Sequence, residues 1–164
     1  MSPRNDPSEI KLADCNCLAL RQAARRITQL YDQALAPSQV RTTQLSILAK
    51  LHRLGPMTIN NLALVLALDR TTLGRNILPL QREGLIAANR GGTDRRSKEL
   101  HLTKAGVATL RVAARLWAQA QGRFEAAFGA RRASTLRAVL RRISTANFES
   151  EAATRGPHRP RIGR

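Results

Sequence analysis

Apolar residues return every three or four positions along the first stretch of the chain, at Leu12, Cys15, Ala19, Ala23, Ile27 and Leu30. That interval lines one face of an α-helix, and Pro37 closes the element. Thr42 or Thr43 opens a second helix whose apolar face is Leu45, Ile47, Leu48 and Leu51, and Gly55-Pro56 stops it. Met57-Thr58-Ile59 is short and β-branched, which predicts a minimal strand. Asn60-Asn61 begins a third helix through Leu62, Ala63, Val65 and Leu66. Asp69 is placed to cap a fourth, Arg70 to Glu83, because its carboxylate can accept from the free N–H groups of the first turn. Gly84 ends that helix. Pro79 inside it removes one backbone donor and predicts a bend in the last turn.

Leu85 to Asn89 and Ser97 to Leu102 read as two strands around a charged, glycine-containing tip, Arg90 to Arg96, which is a β-hairpin. Thr103 caps a long helix to about Phe128, with Leu110, Trp117, Phe124 and Phe128 along one stripe. Gly129 breaks it, and a last helix from about Ala130 to Phe148 carries Leu136, Leu140 and Ile143. Residues 1–11, with Pro3 and Pro7 among polar neighbours, are expected to form a flexible arm. Residues 149–164, rich in arginine, proline and glycine, are expected to be a disordered basic tail.

Charge narrows the function. The 164 residues carry 28 Lys and Arg against 11 Asp and Glu, a formal charge of +17. Residues 70–164 hold 20 of those basic side chains and only 6 of the acidic ones. A chain of this kind reads as a polyanion binder, since each neutralised phosphate releases counterions. The bland alternative is a solvated charged face. Aromatic residues are 3% of the chain, which argues against a base-stacking platform.

The remaining composition excludes more than it suggests. No apolar run approaches the roughly 20 residues of a membrane span, and Met1 to Lys11 lacks a secretory apolar stretch. A cytoplasmic protein with no membrane partner is expected. Cys15 and Cys17, one residue apart, form no disulfide framework, and with His52, His101 and His158 scattered there is no metal site to expect. No phosphate-cradling glycine loop or nucleophile–base set is visible, Gly91-Gly92 being a hairpin tip. No enzyme activity and no cofactor are expected.

Helix, helix, short strand, helix, helix, hairpin is the order of a winged helix-turn-helix. The fold class is therefore mainly α with a small β-wing. In such a lobe the second helix of the pair lies in the major groove of double-stranded DNA and the hairpin reaches the flanking minor groove. On the fourth helix Leu73, Ile77 and Leu80 point to the core, so Thr71 and Arg75, about 200° around from Leu73, point outward. Arg75 suits guanine O6 and N7, and Thr71 and Thr72 suit a thymine methyl or a phosphate, with Arg70, Asn76 and Arg82 flanking. An exposed polar helix face is the alternative.

Two segments carry a family resemblance. Asp94-Arg95-Arg96-Ser97-Lys98-Glu99-Leu100-His101-Leu102-Thr103-Lys104-Ala105-Gly106 resembles the wing pattern D-x-R-x-x-x-L-x-L-T-x-x-G of the MarR family of bacterial transcription regulators. Leu68 to Asn76, followed by Glu83-Gly84-Leu85-Ile86, is similar to that family's recognition-helix segment. The resemblance spans roughly residues 12–148, with Pro79 and the arginine-rich tail less typical. It implies a homodimer with two winged lobes on a pseudo-palindromic operator, acting as a repressor that responds to a small-molecule effector. It also implies that Arg96 enters the minor groove with Asp94 orienting it and Arg95 beside them. A simple Asp94–Arg96 ion pair is the plainer reading.

Within residues 12–148 the DNA-binding lobe is then 41–102, and residues 12–36 and 103–148 are dimerisation helices. The candidate interface is Leu12, Trp117, Phe124, Phe128, Leu136, Leu140 and Ile143, more apolar surface than a small lobe can bury. The alternative is that these helices cover one another within one chain. Cys17 is similar in position to the reactive cysteine of the organic-hydroperoxide-sensing branch, but Arg41 to Leu45 lacks that branch's tyrosines. Cys17 is expected to be a small buried residue, with thiol sensing as an alternative function. The other alternative is a nucleoid or RNA-binding protein that uses charge without sequence choice.

Overall fold

The first helix, α1, runs Asn16–Leu35 and so begins four residues later than its apolar spacing suggests. The computed structural model describes residues 11–90 and 98–148. Leu12–Asp14 is a single 3-10 turn. Cys15 is extended, and its sulfur accepts from Leu18 N–H at 3.4 Å. The thiol thus fills a capping role that periodicity alone assigns to a packing face. Then follow α2 (Thr42–Leu54), β1 (Met57–Thr58), α3 (Ile59–Leu66), α4 (Arg70–Arg82), β2 (Ile86–Arg90), β3 (Lys98–Leu102), α5 (Lys104–Phe128) and α6 (Ala130–Thr145).

Three boundaries move for capping reasons. Helix α3 starts at Ile59 rather than at the asparagines, because the Thr58 hydroxyl accepts from Asn61 N–H. Helix α4 stops at Arg82. Gly84 adopts φ +68°, and Leu85 N–H reaches back to the Leu80 carbonyl at 2.9 Å, a Schellman closure. Helix α6 ends at Thr145, three residues short of Phe148, where Ser144, Thr145 and Asn147 favour turns over helix.

The chain divides into two compact units between Gln121 and Gly122. In the first, the core is the inner face of α2 (Leu45, Ile47, Leu48, Leu51) with Leu62 of α3, Leu73, Ile77 and Leu80 of α4, and Ile86 and Leu100 of the sheet. The sheet order is β1-β3-β2, antiparallel throughout. Leu100 pairs with Met57 on one side and Ala88 on the other, so the short β1 anchors the hairpin to the helical core.

Within this unit two sets of hydrogen bonds join α1 to α2 and to α5. Asp32 accepts from both Thr42 N–H and the Thr42 hydroxyl, each at 2.7 Å, which satisfies the free N-terminus of α2. Tyr31 is buried and its hydroxyl donates to Gln121 Oε1 at 2.6 Å. The first half of α1 is largely exposed, Ala19 and Ala23 included. Cys17 is likewise exposed, not buried as its residue type suggests.

On α5 the buried positions are Gly106, Ala113 and Ala120, seven apart. The larger stripe lies to one side of them: Leu110 is half-buried and Trp117 is 43% exposed. Small residues let this helix approach its neighbours closely, so they occupy the inner line and the bulky ones do not. In the second unit Ala133 is buried, Phe124 stacks on Phe128 with centroids 5.3 Å apart, and Arg137 bonds Glu125 at 3.0 Å. Phe128, Val139, Leu140 and Ile143 remain exposed there.

Candidate nucleic-acid interface

A tight turn sets α4 on α3. Ala67 takes the left-handed conformation (φ 51°), its N–H closing on the α3 carbonyls, and Leu68 N–H bonds Ala63 O at 3.0 Å. Two residues later Asp69 Oδ1 accepts from Thr72 N–H at 2.8 Å and starts α4. Hydrogen bonds from the Thr72 side chain and backbone hold the Asp69 carboxyl below its ordinary pKa. The capped end is fixed locally by residues adjacent in sequence.

Burial of Leu73, Ile77 and Leu80 then locks the rotation of α4 about its axis. The opposite face carries Thr71, Arg75, Leu78 and Arg82, spaced four, three and four, and all four are exposed. Arg70 is also exposed. None of Arg70, Arg75 and Arg82 is paired with an acid among the described residues, where Arg137–Glu125 is the ion pair seen. Three guanidinium groups thus stand on or beside one outward face with no partner from the described chain to neutralise them.

Thr72 and Asn76 are placed differently. Both are half-buried on the flank of α4, and Asn76 Nδ2 donates to the Thr72 carbonyl at 2.8 Å. Asn76 is thereby engaged with its own helix. Arg70 lines a cleft of about 630 Å³ with Thr58, Asn60, Gln81, Ala88 and Lys98. Lys98 was not singled out from the sequence. It lines the same cleft as Arg70 only because β3 pairs between β1 and β2, a placement no local pattern reports.

Leu78 is the other residue that sequence reasoning missed. Its type suggests core, yet helical phase sets it outward, and that phase was legible from Leu73, Ile77 and Leu80. Asp94, Arg95 and Arg96 lie outside the described residues. The structure does establish the base of that hairpin, where Arg90 pairs with Lys98 and Asn89 with Glu99.

Of the candidate interface residues, Leu12 (60%), Trp117 and Phe128 are exposed, as are Leu140 and Ile143, while Phe124 and Leu136 are half-buried. His52 and His101 line a second cleft of about 560 Å³ with Glu99 and Asn89. Among the described residues no three His, Cys, Asp or Glu side chains gather closely enough to hold a metal ion. No described helix is long and apolar enough to cross a membrane.

Comparison with known proteins agrees with this geometry. Residues 41–98 match the family model for the MarR family. A curated relative, the uncharacterized HTH-type transcriptional regulator YwoH of Bacillus subtilis, is 33% identical over 85 residues. That alignment covers 52% of this chain and 61% of YwoH, so the chain spans less than two thirds of that relative. Among solved structures, the transcriptional repressor CouR bound to a 23-mer DNA duplex superposes with a TM-score of 0.75 and 29% identity, over 84% of this chain and 99% of that one. The Mycobacterium tuberculosis transcriptional regulator MosR in complex with DNA gives a TM-score of 0.66 and 34% identity, over 81% of this chain and 100% of that one.

Proposed function

This chain belongs to the MarR family, and from that membership we propose that it is a homodimeric, sequence-specific DNA-binding repressor of transcription. The observation that carries the reading is the outward face of α4, where Thr71, Arg75 and Arg82 stand exposed over a fully buried inner face. A rigid helix with unpaired guanidinium groups is what the major groove accepts, because a bidentate arginine matches the O6/N7 edge of guanine. CouR and MosR, each solved with DNA, support the same use of the fold.

In this reading Arg75 reads bases, Thr71 meets a methyl or phosphate, and Arg70 and Arg82 hold the flanking backbone. Asn76 and Thr72 act mainly by keeping the first turns of the helix rigid. Asp94, Arg95 and Arg96, which follow β2 in sequence, are assigned the minor groove. The exposed apolar residues Leu12, Trp117, Phe128, Leu140 and Ile143, with Phe124 and Leu136, supply the dimer contact. Two lobes must then present their α4 helices about 34 Å apart, one turn of duplex. A small effector regulates such a protein only by binding the DNA-competent spacing and its alternative with different affinity.

The test is a gel shift with the intergenic DNA beside the protein's own gene against scrambled DNA, across a salt series. Tight binding that survives unrelated competitor is the expected result. The +17 charge favours a second reading, backbone binding without sequence choice. Equal affinity for both DNAs, falling together as salt rises, would put that reading first.

A further inference from the structure

Leu78 is an aliphatic side chain on a face that otherwise belongs to arginine and threonine. In helical phase it falls about 20° to one side of Thr71, with Arg82 about 20° to the other, and it is 52% exposed, while Leu73, Ile77 and Leu80 complete the buried face behind it. One turn earlier, on the same edge of that face, stands Gly74. A β-carbon placed on Gly74 would meet no atom within 4 Å, so close packing inside the chain does not call for glycine there. Glycine in a helix interior is nonetheless unfavourable relative to alanine. Side chains on a helix lean toward its N-terminus, which lays Leu78 over the bare backbone of Gly74. The two form a shallow apolar notch, bordered by Thr71 and Arg75.

We propose that this notch receives the 5-methyl group of a thymine in the major groove, making Leu78 and Gly74 determinants of base choice beside Arg75. The inference rests on the docking of α4 proposed above. Thymine is the one base that presents a methyl group in that groove, whereas purines present polar N7 and O6 or N6 atoms that a leucine would desolvate without bonding. The occupant is a DNA duplex rather than a protein surface because Arg75 and Arg82 flank the notch without acid partners among the described residues. Missing Cβ bulk at residue 74 lets a base edge approach the helix backbone closely enough to bury its methyl.

The experiment starts from a duplex that the full-length protein enriches out of a randomised library of about 30 base pairs, long enough for two half-sites a turn apart. Each thymine in turn is replaced by deoxyuridine, which keeps the pairing and removes only the methyl. The wild-type protein should lose about fourfold in affinity at one thymine per half-site, the effect of leaving one methyl unburied. Leu78→Ala should bind thymine and uracil duplexes equally at that position, and Gly74→Ala should reduce the ratio by filling the notch. Arg75→Ala should bind more weakly overall and keep the ratio. Wild-type indifference to every replacement, or an unchanged ratio in Leu78→Ala, overturns the notch while groove docking stands. If the library yields no preferred sequence, groove docking itself is wrong and the notch falls with it.

Discussion

The backbone carbonyl oxygen of Leu85 occupies the space that a β-carbon on Gly106 would need. Thr103 sits at the same junction: its N–H bonds the Leu85 carbonyl at 3.1 Å, its hydroxyl donates to Gly84 O at 2.7 Å, and that hydroxyl accepts from Gly106 N–H at 3.0 Å. The end of α4, the hairpin and the start of α5 therefore meet at Gly84, Leu85, Thr103 and Gly106. Two of those four, Thr103 and Gly106, belong to the wing pattern visible in the sequence.

Gly106→Ala should accordingly destabilise the protein by about 1–3 kcal/mol, since backbone atoms and the Leu102 side chain must shift to admit one methyl. Urea denaturation measures this as a lower midpoint at unchanged slope. A midpoint equal to the parent's would mean that α5 adjusts freely and the close approach is unimportant.

Asp32→Ala removes both acceptor contacts to Thr42 at the start of α2. The loss should be about 1–2 kcal/mol, in the range for an N-terminal helix cap. Asp32→Asn retains an acceptor oxygen and should recover much of it, losing only the attraction between a carboxylate and the helix N-terminus. Equal destabilisation by both variants would point to the charge, not the hydrogen bonds.

Arg75→Ala should weaken specific DNA binding by about 1–3 kcal/mol and relax base preference at one position per half-site, whereas Arg82→Ala should weaken binding to all sequences alike and lower the salt slope by about one. Equilibrium titration at several salt concentrations separates the two roles. If both variants behave identically, the outward face of α4 does not dock as described.

Asp69 gives a pH prediction. Its carboxyl is held below the ordinary carboxylate pKa by hydrogen bonds from Thr72, so the folded state binds that proton less readily than the unfolded chain. The cap's contribution is thus present above the unfolded value and disappears as pH falls through the lowered folded one. Asp69→Ala should lower the melting temperature by a few degrees near neutrality, with the gap to wild type closing in strong acid. A gap that persists undiminished in acid would assign the effect to something other than the ionised cap.

Trp117→Ala tests the dimer. Trp117 is 43% exposed in the single chain, so its truncation should cost the chain's own core little while removing a large aromatic from the proposed contact. Light scattering across a dilution series should show dissociation at higher protein concentration than wild type. An unchanged oligomeric profile removes Trp117 from the interface.

Much of the lobe was readable in advance because its determinants are local. Asp69 and Thr103 cap helices three residues or fewer ahead of their acceptor contacts, and Leu73, Ile77 and Leu80 declare a buried face by spacing alone. Cys17 was misjudged and Trp117 left undecided for the opposite reason. Their residue types suggest packing, but whether a neighbour reaches them depends on chain far away in sequence. Tyr31 illustrates the distance involved, its hydroxyl meeting Gln121 ninety residues on.

By itself the sequence determined the order of elements, the rotation of α4 and the basic character of its outward face, because helical period, capping chemistry and charge are properties of neighbouring residues. The tertiary structure decided which small residues line the inner edge of α5, that Lys98 joins Arg70 at one cleft, and that Gly106 must be glycine. Those outcomes follow from how closely separate segments approach. Close packing couples every such distance to the rest of the core, and no local pattern carries that information.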